Sequence, residues 1–306
     1  MRVFALLVAV FAASAVAGPE PIVFWHGMGD SCCNPLSLGK IVDQVVKEVP
    51  GIYAKSIQIG HDIVEDTMNG FFKNVNEQID MVCANLTADA NLKDGFNVIG
   101  FSQGGQFWRA IVQRCKTVKV LNLISVGGQH QGVFGFPKCP GNNSDICEAV
   151  RRLLNIGVYV APVQDILVQA EYWQDPLDMK EYRSKSVFLA DINQENTFNQ
   201  DYKDRFSQIR NFVMVKFAKD TMVQPKDSEW FGFYKEGQDK DVYSMYESRI
   251  WKEDLLGLQI LNSTGRIHFI EAPGDHLQFS LEWFDANLMP FIKVDSSQGT
   301  LPLKVN

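Results

Sequence analysis

This chain carries no surplus of positive charge: 29 Lys and Arg stand against 36 Asp and Glu, a formal charge of −7, which argues against a nucleic-acid partner. Past the N-terminus no apolar run approaches the roughly 20 residues that a transmembrane helix requires. The Cys and His spacings of a zinc site are missing, so no metal is expected. Histidine itself is scarce, with five in 306 residues, which sharpens any search for a catalytic base. Disorder is not indicated either, because a hydrophobic content of 46% supports the sizeable core of one large α/β domain with room for an insertion.

What is present begins with a targeting segment. Val3 to Ala13 are almost wholly apolar after Arg2, and Ala15-Val16-Ala17 offers the small residues a signal peptidase needs, so residues 1–17 read as a signal peptide. Its loss removes Arg2, leaving 28 basic against 36 acidic residues and a charge of −8. Six cysteines remain, Cys32, Cys33, Cys83, Cys115, Cys139 and Cys147, an even number that in a secretory chain implies bridges among 15 connectivities. Cys139 and Cys147 bracket a Pro-Gly-Asn-Asn turn and could close a small loop, Cys83 and Cys115 lie near the ends of two expected helices, and Cys32 and Cys33 are left with each other. Asn85, Asn142 and Asn262 are candidate glycosylation acceptors.

Short apolar runs at 22–25, 96–100, 118–126, 212–217 and 267–270, with a further strand candidate at 53–59, alternate with helical patterns, which implies a mostly parallel sheet with flanking helices. Met68, Phe71, Phe72, Val75, Ile79, Val82 and Leu86 fall on one face of an expected core-facing helix. From 129 to 210 the alternation stops, and helix-like pieces at 149–154 and 162–172 mark an inserted helical region. The core is then 18–128 with 211–306. A last helix is expected over 277–291.

Gly100-Phe101-Ser102-Gln103-Gly104 follows one of these strands and opens a helix. In that setting a serine at the turn is pushed out above the sheet, with small neighbours giving the backbone room. A serine hydroxyl needs a base, and the base needs an acid. In the Ser, acid, His order only His268 and His276 lie far enough along; His268 alternates within a strand and reads as structural, whereas His276 follows the turn Pro273-Gly274-Asp275. Asp220, just beyond the strand ending at Phe217, is the expected acid, ahead of Asp204, Asp227 and Asp275. The N–H groups of Gln103 and Met28 are the expected oxyanion donors, Met28 lying in the glycine loop after the first strand, and His26 beside it reads as structural.

These residues carry a resemblance. Trp25 to Cys33, Gly100 to Gln106, Ser125 to Val133, Phe188 to Asn193, Asp227 to Tyr234 and Gly274 to Gln278 are similar to the palmitoyl-protein thioesterase family in its lysosomal type 1 form, over essentially the whole mature chain. The resemblance implies an α/β-hydrolase fold and removal of palmitoyl groups from cysteines of S-acylated proteins in the lysosome, reached by the secretory pathway, with secretion as a further destination. It implies no cofactor. It carries the triad onto Ser102, Asp220 and His276, the oxyanion donors onto Met28 and Gln103, and the bridges onto Cys32–Cys33, Cys83–Cys115 and Cys139–Cys147. Glycans could engage a sorting receptor, although the family's usual acceptors fall where this chain has Ser184, Asn199-Gln200-Asp201 and Lys219, none of them an acceptor.

A sixteen-carbon chain offers about 15 carbon groups at roughly 0.8 kcal/mol each, so acyl length should dominate recognition. The insertion is expected to form part of that site, with Val158, Val160, Ile166, Leu167, Val168 and Trp173 as candidate linings. An imidazole with the ordinary value near 6.5 is mostly protonated in an acidic lumen, so faster turnover is expected near neutral pH. An oxygen-ester lipase would share the triad, and a non-catalytic lipid-binding glycoprotein could share the fold.

Overall fold

Strands made of unbroken Val, Ile, Leu and Phe cannot leave a face in water, and the central strands here are covered on both sides. The computed structural model describes residues 18–135 and 144–293. The expected signal peptide, Cys139 and Asn142 lie outside the described residues, as does the side chain of Cys147. Among the described residues the strands are β1 (Ile22–Trp25), β2 (Ala54–Ser56), β3 (Phe96–Phe101), β4 (Val120–Val126), β5 (Asn211–Phe217), β6 (Phe233–Tyr234), β7 (Val242–Tyr243) and β8 (Ile267–Ala272). Six of them form one parallel sheet in the order β2-β1-β3-β4-β5-β8, while β6 and β7 make a separate antiparallel ribbon. This is the α/β-hydrolase architecture.

The strand order dictates where a site can form. The chain leaves β1 towards β2 on one side, then returns across the sheet so that β3 lies on the other side of β1 and all later strands follow outward. Right-handed crossovers therefore send the helix after β1, Leu38–Glu48, and the helix after β3, Gln103–Arg114, to opposite faces. Their connections part at the carboxyl ends of β1 and β3, which opens a crevice there.

At the other end of the strands the core holds a polar ladder. Asn122 donates to Asn97, Asn211 donates to Asn122, and His268 Nε2 donates to Asn211 Oδ1, at 2.7, 2.8 and 2.8 Å. The ladder crosses β3, β4, β5 and β8, and it accounts for His268 as a structural residue.

Three helical expectations are corrected. The segment around 68–86 is two helices, Ile63–Phe72 and Val75–Ala88, because the Asn74 side chain accepts from the N–H groups of Asn76 and Glu77 and starts a new helix. The last helix begins at Leu281, after Ser280 caps it, and Met289–Ile292 follows as a separate turn; Leu277, with φ of 56°, belongs to the loop instead. Between β4 and β5 the helices are Ser144–Ile156, Ala161–Ile166, Val168–Glu171, Met179–Lys185, Leu189–Ile192 and Gln200–Ser207, so the expected piece at 162–172 is broken at Leu167. Arg109, fully buried in the helix after β3, ties this region down by donating to the carbonyls of Ile192 and His130 and to Asn193 Oδ1 at 2.8–2.9 Å. Disulfides join Cys32 to Cys33 and Cys83 to Cys115.

Candidate active site

Ser102 occupies the turn between β3 and the helix that begins at Gln103, with φ of 53° and ψ of −124°. A non-glycine residue rarely holds such a backbone, and the neighbours make it affordable. A methyl group on Gly104 would stand 2.5 Å from the carbonyl oxygen of Trp25 and 2.6 Å from that of His26, so only glycine lets the helix start approach the end of β1. Gly27 lies close to Ser102, since a Cβ there would be 3.1 Å from Ser102 Cβ. The loop after β1 is thereby pressed against the serine.

His276 reaches Ser102 from the loop after β8. Its Nε2 lies 2.9 Å from Ser102 Oγ and its Nδ1 lies 2.5 Å from Asp220 Oδ2. Nδ1–H donates to the carboxylate, so Nε2 is left to accept from the serine hydroxyl. The other oxygen of Asp220 accepts from the N–H groups of Met222 and Val223 at 2.7 and 2.8 Å. Burial pushes the Asp220 carboxyl up, but the bond from His276, the neighbouring Glu229 carboxyl and the Val223 N–H outweigh it and hold the group below its ordinary value. It is an anion wherever a base is useful.

The remaining sequence candidates divide by what they touch. Asp275 holds together the loops that carry Asp220 and His276: its carboxylate accepts from the His276 N–H at 2.7 Å and from Thr221 N–H and hydroxyl at 2.8 and 3.0 Å. Asp227 pairs with Lys216 at 3.3 Å and Asp204 accepts from Gln200, so neither reaches His276. His26 is buried, with Nδ1 facing the Gly27 carbonyl at 2.8 Å and Nε2 facing Asp66 at 3.1 Å. Both nitrogens meet acceptors only, the arrangement an imidazolium satisfies; burial opposes the charge, yet Asp66 outweighs it and raises the group above its ordinary value. Asp66 also accepts from Cys32 and Ile59 N–H groups, fixing the loop after β1.

Met28 lines the cavity at the serine, and Gln103 follows Ser102 as the first residue of the helix. Among the described residues no acceptor takes the backbone N–H of either. A cavity of about 100 Å³ surrounds Ser102 and His276, walled by Gly27, Met28, Val133, Tyr172, Val223 and Leu277. Leu277 and Asp30 also border a larger groove of about 400 Å³ that runs past Phe101 and Phe279 to Leu36 and Ile41. From the inserted region the small cavity receives Gln129, Val133, Gln169 and Tyr172, whereas none of the six linings expected there borders it. Leu167 and Val168 are fully buried core, Trp173 packs edge-on against Phe134, and Val160 and Ile166 point into solvent. Apolar character alone does not separate a lining from a core residue.

Sequence reasoning also missed three side chains. Tyr172 brings its hydroxyl 3.4 Å from Gln103 Oε1 and 3.9 Å from Met28 Sδ, touching both expected oxyanion residues. Glu171 beside it is buried and accepts from the Val75 N–H with both oxygens at 3.0 Å. Glu229, in the short helical turn Lys226–Trp230, accepts from the Phe217 N–H at 2.8 Å, and burial followed by the nearness of Asp220 pushes its carboxyl well above the ordinary range. Their spacing gave no signal, because each depends on a chain segment distant in sequence. Asn85 is exposed and Asn262 half-buried.

Residues 21–276 match the model of the palmitoyl protein thioesterase family. The chain is 49% identical over 283 residues to palmitoyl-protein thioesterase 1 of Caenorhabditis elegans, covering 91% of this chain and 95% of that one. It is 24% identical over 262 residues to the lysosomal thioesterase PPT2 of Homo sapiens, covering 82% and 80%. Among solved structures it is similar to the mature lipase BlEst2 of Bacillus licheniformis, at 13% identity and a TM-score of 0.46, covering 94% and 96%.

Proposed function

The chain belongs to the palmitoyl protein thioesterase family and is a thioester hydrolase, and from that premise we propose that it frees long-chain fatty acids from protein cysteines through Ser102, His276 and Asp220. Ser102 Oγ attacks the thioester carbonyl as its proton passes to His276 Nε2, and the oxygen left negative is held by the N–H groups of Met28 and Gln103. The intermediate collapses with loss of the cysteine thiolate, which takes up the proton held on His276, leaving the acyl group on Ser102 and the imidazole neutral. Water, giving a proton to His276, then attacks the ester, and that proton returns to Ser102 Oγ as the fatty acid is released. A thiol of ordinary value near 8.5 departs with little proton assistance, so this site suits thioesters far better than amides.

The observation that carries the reading is the unbroken line from Ser102 Oγ through His276 to Asp220 at 2.9 and 2.5 Å, lying in a cavity that also presents Met28. The first carbons of the acyl chain meet Val133, Tyr172 and Val223, and the inserted region supplies the wall along which the chain continues. Substrates are S-palmitoylated proteins and peptides in the lysosome. Support comes from the lysosomal name of a human relative and from the secretory leader expected at residues 1–17. Sugars on Asn85 or Asn262 would give a sorting receptor its handle.

The test compares hydrolysis of an S-palmitoyl-cysteine peptide with that of its O-palmitoyl-serine counterpart by the wild-type protein and Ser102→Ala. The expected result is thioester cleavage that exceeds ester cleavage and vanishes in the variant. Faster cleavage of the oxygen ester would make the protein a lipase, and an active Ser102→Ala protein would remove the nucleophile from the account.

A further inference from the structure

Glu229 is a carboxyl group sealed behind the catalytic acid, and the reaction as described has no use for it. It comes from the turn Lys226–Trp230, is 1% exposed, and lies so that one ligand atom each of Asp220, Glu229 and His276 falls within 4.8 Å of the others. Its Oε2 is occupied by the Phe217 N–H, whereas Oε1 is buried and receives no hydrogen bond. A carboxylate with a bare, buried oxygen and a second carboxylate close by is the arrangement least tolerant of two negative charges. The same oxygen carrying a proton becomes a donor.

Asp220 has a place for that donor. A carboxylate offers about four acceptor sites, and three of them are taken by Met222, Val223 and His276. We propose that Glu229 is a positioning residue of the triad: its neutral carboxyl donates through Oε1 to Asp220, fixing the carboxylate that orients His276 and sharing the charge that the imidazole sees. The other charged groups around it are Lys216 on β5, Asp227 in its own turn, which Lys216 holds at 3.3 Å, and His276. Lys216 therefore faces a carboxylate already beside it and leaves Glu229 to Asp220. The consequence concerns pH. A donor on Asp220 spreads the negative charge that faces the imidazole, so the acid limb of the pH–rate profile is expected to depend on Glu229.

This inference rests on the serine mechanism proposed above, and its test keeps the two apart by scoring pH dependence instead of activity alone. The pH profile of kcat/KM on an S-palmitoyl peptide is measured for wild type, Glu229→Gln and Glu229→Leu, with Ser102→Ala as the inactive control. Glutamine accepts from Phe217 and donates to Asp220 as the neutral acid does, so Glu229→Gln should leave kcat, KM and the acid limb unchanged. Glu229→Leu should lower kcat about 10-fold with little change in KM and move the acid limb to higher pH. An ionised Glu229 predicts the opposite for glutamine: removing an anion beside His276 would shift the acid limb of Glu229→Gln to lower pH by about one unit, and that result would overturn the proposal. Should the leucine variant not fold, the glutamine profile decides alone. Difference infrared spectra of wild type against Glu229→Gln give a readout without turnover: the carbonyl band of a protonated acid at neutral pH, lost in the variant, is expected, and its absence from the wild type contradicts the inference.

Discussion

Glu171 makes the stability of this protein depend on pH in an uncommon direction. The group is fully buried, its two oxygens share the Val75 N–H at the start of the helix Val75–Ala88, and burial pushes its carboxyl from 4.5 up to about 9. A helix N-terminus favours a negative charge by up to about 2 kcal/mol, which here is less than the desolvation it opposes. Since the folded value lies above the unfolded one, the contribution of Glu171 is fully present below about pH 4.5 and is lost as the pH rises through about 9. Each pH unit within that window removes about 1.4 kcal/mol, so moving from about pH 5 to about pH 8 should cost about 4 kcal/mol from this one group. Glu195, Glu229 and His26 also stand above their ordinary values and act with the same sign, so the wild-type trend alone does not isolate Glu171. The difference between wild type and Glu171→Gln does. Urea unfolding with the disulfides intact, run at both pH values, should show the variant matching wild type within about 1 kcal/mol at the acid end and exceeding it by several at the alkaline end. Equal pH slopes for the two proteins would mean that Glu171 is ionised in the fold, and the reasoning from burial would be wrong.

Other expectations follow from the geometry of the elbow, the bridge and the cavity. Gly104→Ala sets a methyl group against two carbonyl oxygens at the end of β1 and should push the Met28 loop off Ser102; a kcat at least about 100-fold lower is expected, and a wild-type kcat would show that the loop does not supply an oxyanion donor. The Cys83–Cys115 bridge closes a span of 32 residues, for which chain entropy gives about 3–4 kcal/mol, so Cys83→Ser with Cys115→Ser should lower the urea midpoint accordingly while leaving KM unchanged. Rates on S-acyl peptides should climb as the acyl chain lengthens from about eight to sixteen carbons, and a flat series would rule out an extended apolar wall.

The sheet was legible because all of its strands but β2, which is Ala54-Lys55-Ser56, are short and mainly apolar runs, and the order Ser, Asp, His followed from a glycine-flanked serine and from how few histidines lie beyond it. Asp220 could be picked from its place at the end of β5. The break at Asn74 is written in the sequence too, since Asn74-Val75-Asn76-Glu77 carries the pattern of a capped helix start within an otherwise continuous apolar stripe. Glu229 and Tyr172 were not legible: the first matters only because the turn at Lys226–Trp230 folds back beneath Asp220, and the second only because Val133 and Trp173 form a bridge that brings Tyr172 over Gln103. Which residues of the inserted region border the cavity was not legible for a related reason. Leu167 and Tyr172 are both buried, and only the packing of the loop after β4 decides which of them meets the cavity.

The central claim is that the fatty acyl group passes through Ser102. Rapid acid quenching of the protein during turnover of an S-palmitoyl peptide, followed by mass mapping of its proteolytic fragments, should find a palmitoyl adduct on the fragment holding Ser102 and none in Ser102→Ala. An adduct on another residue, or full turnover with Ser102 never modified, would contradict the account.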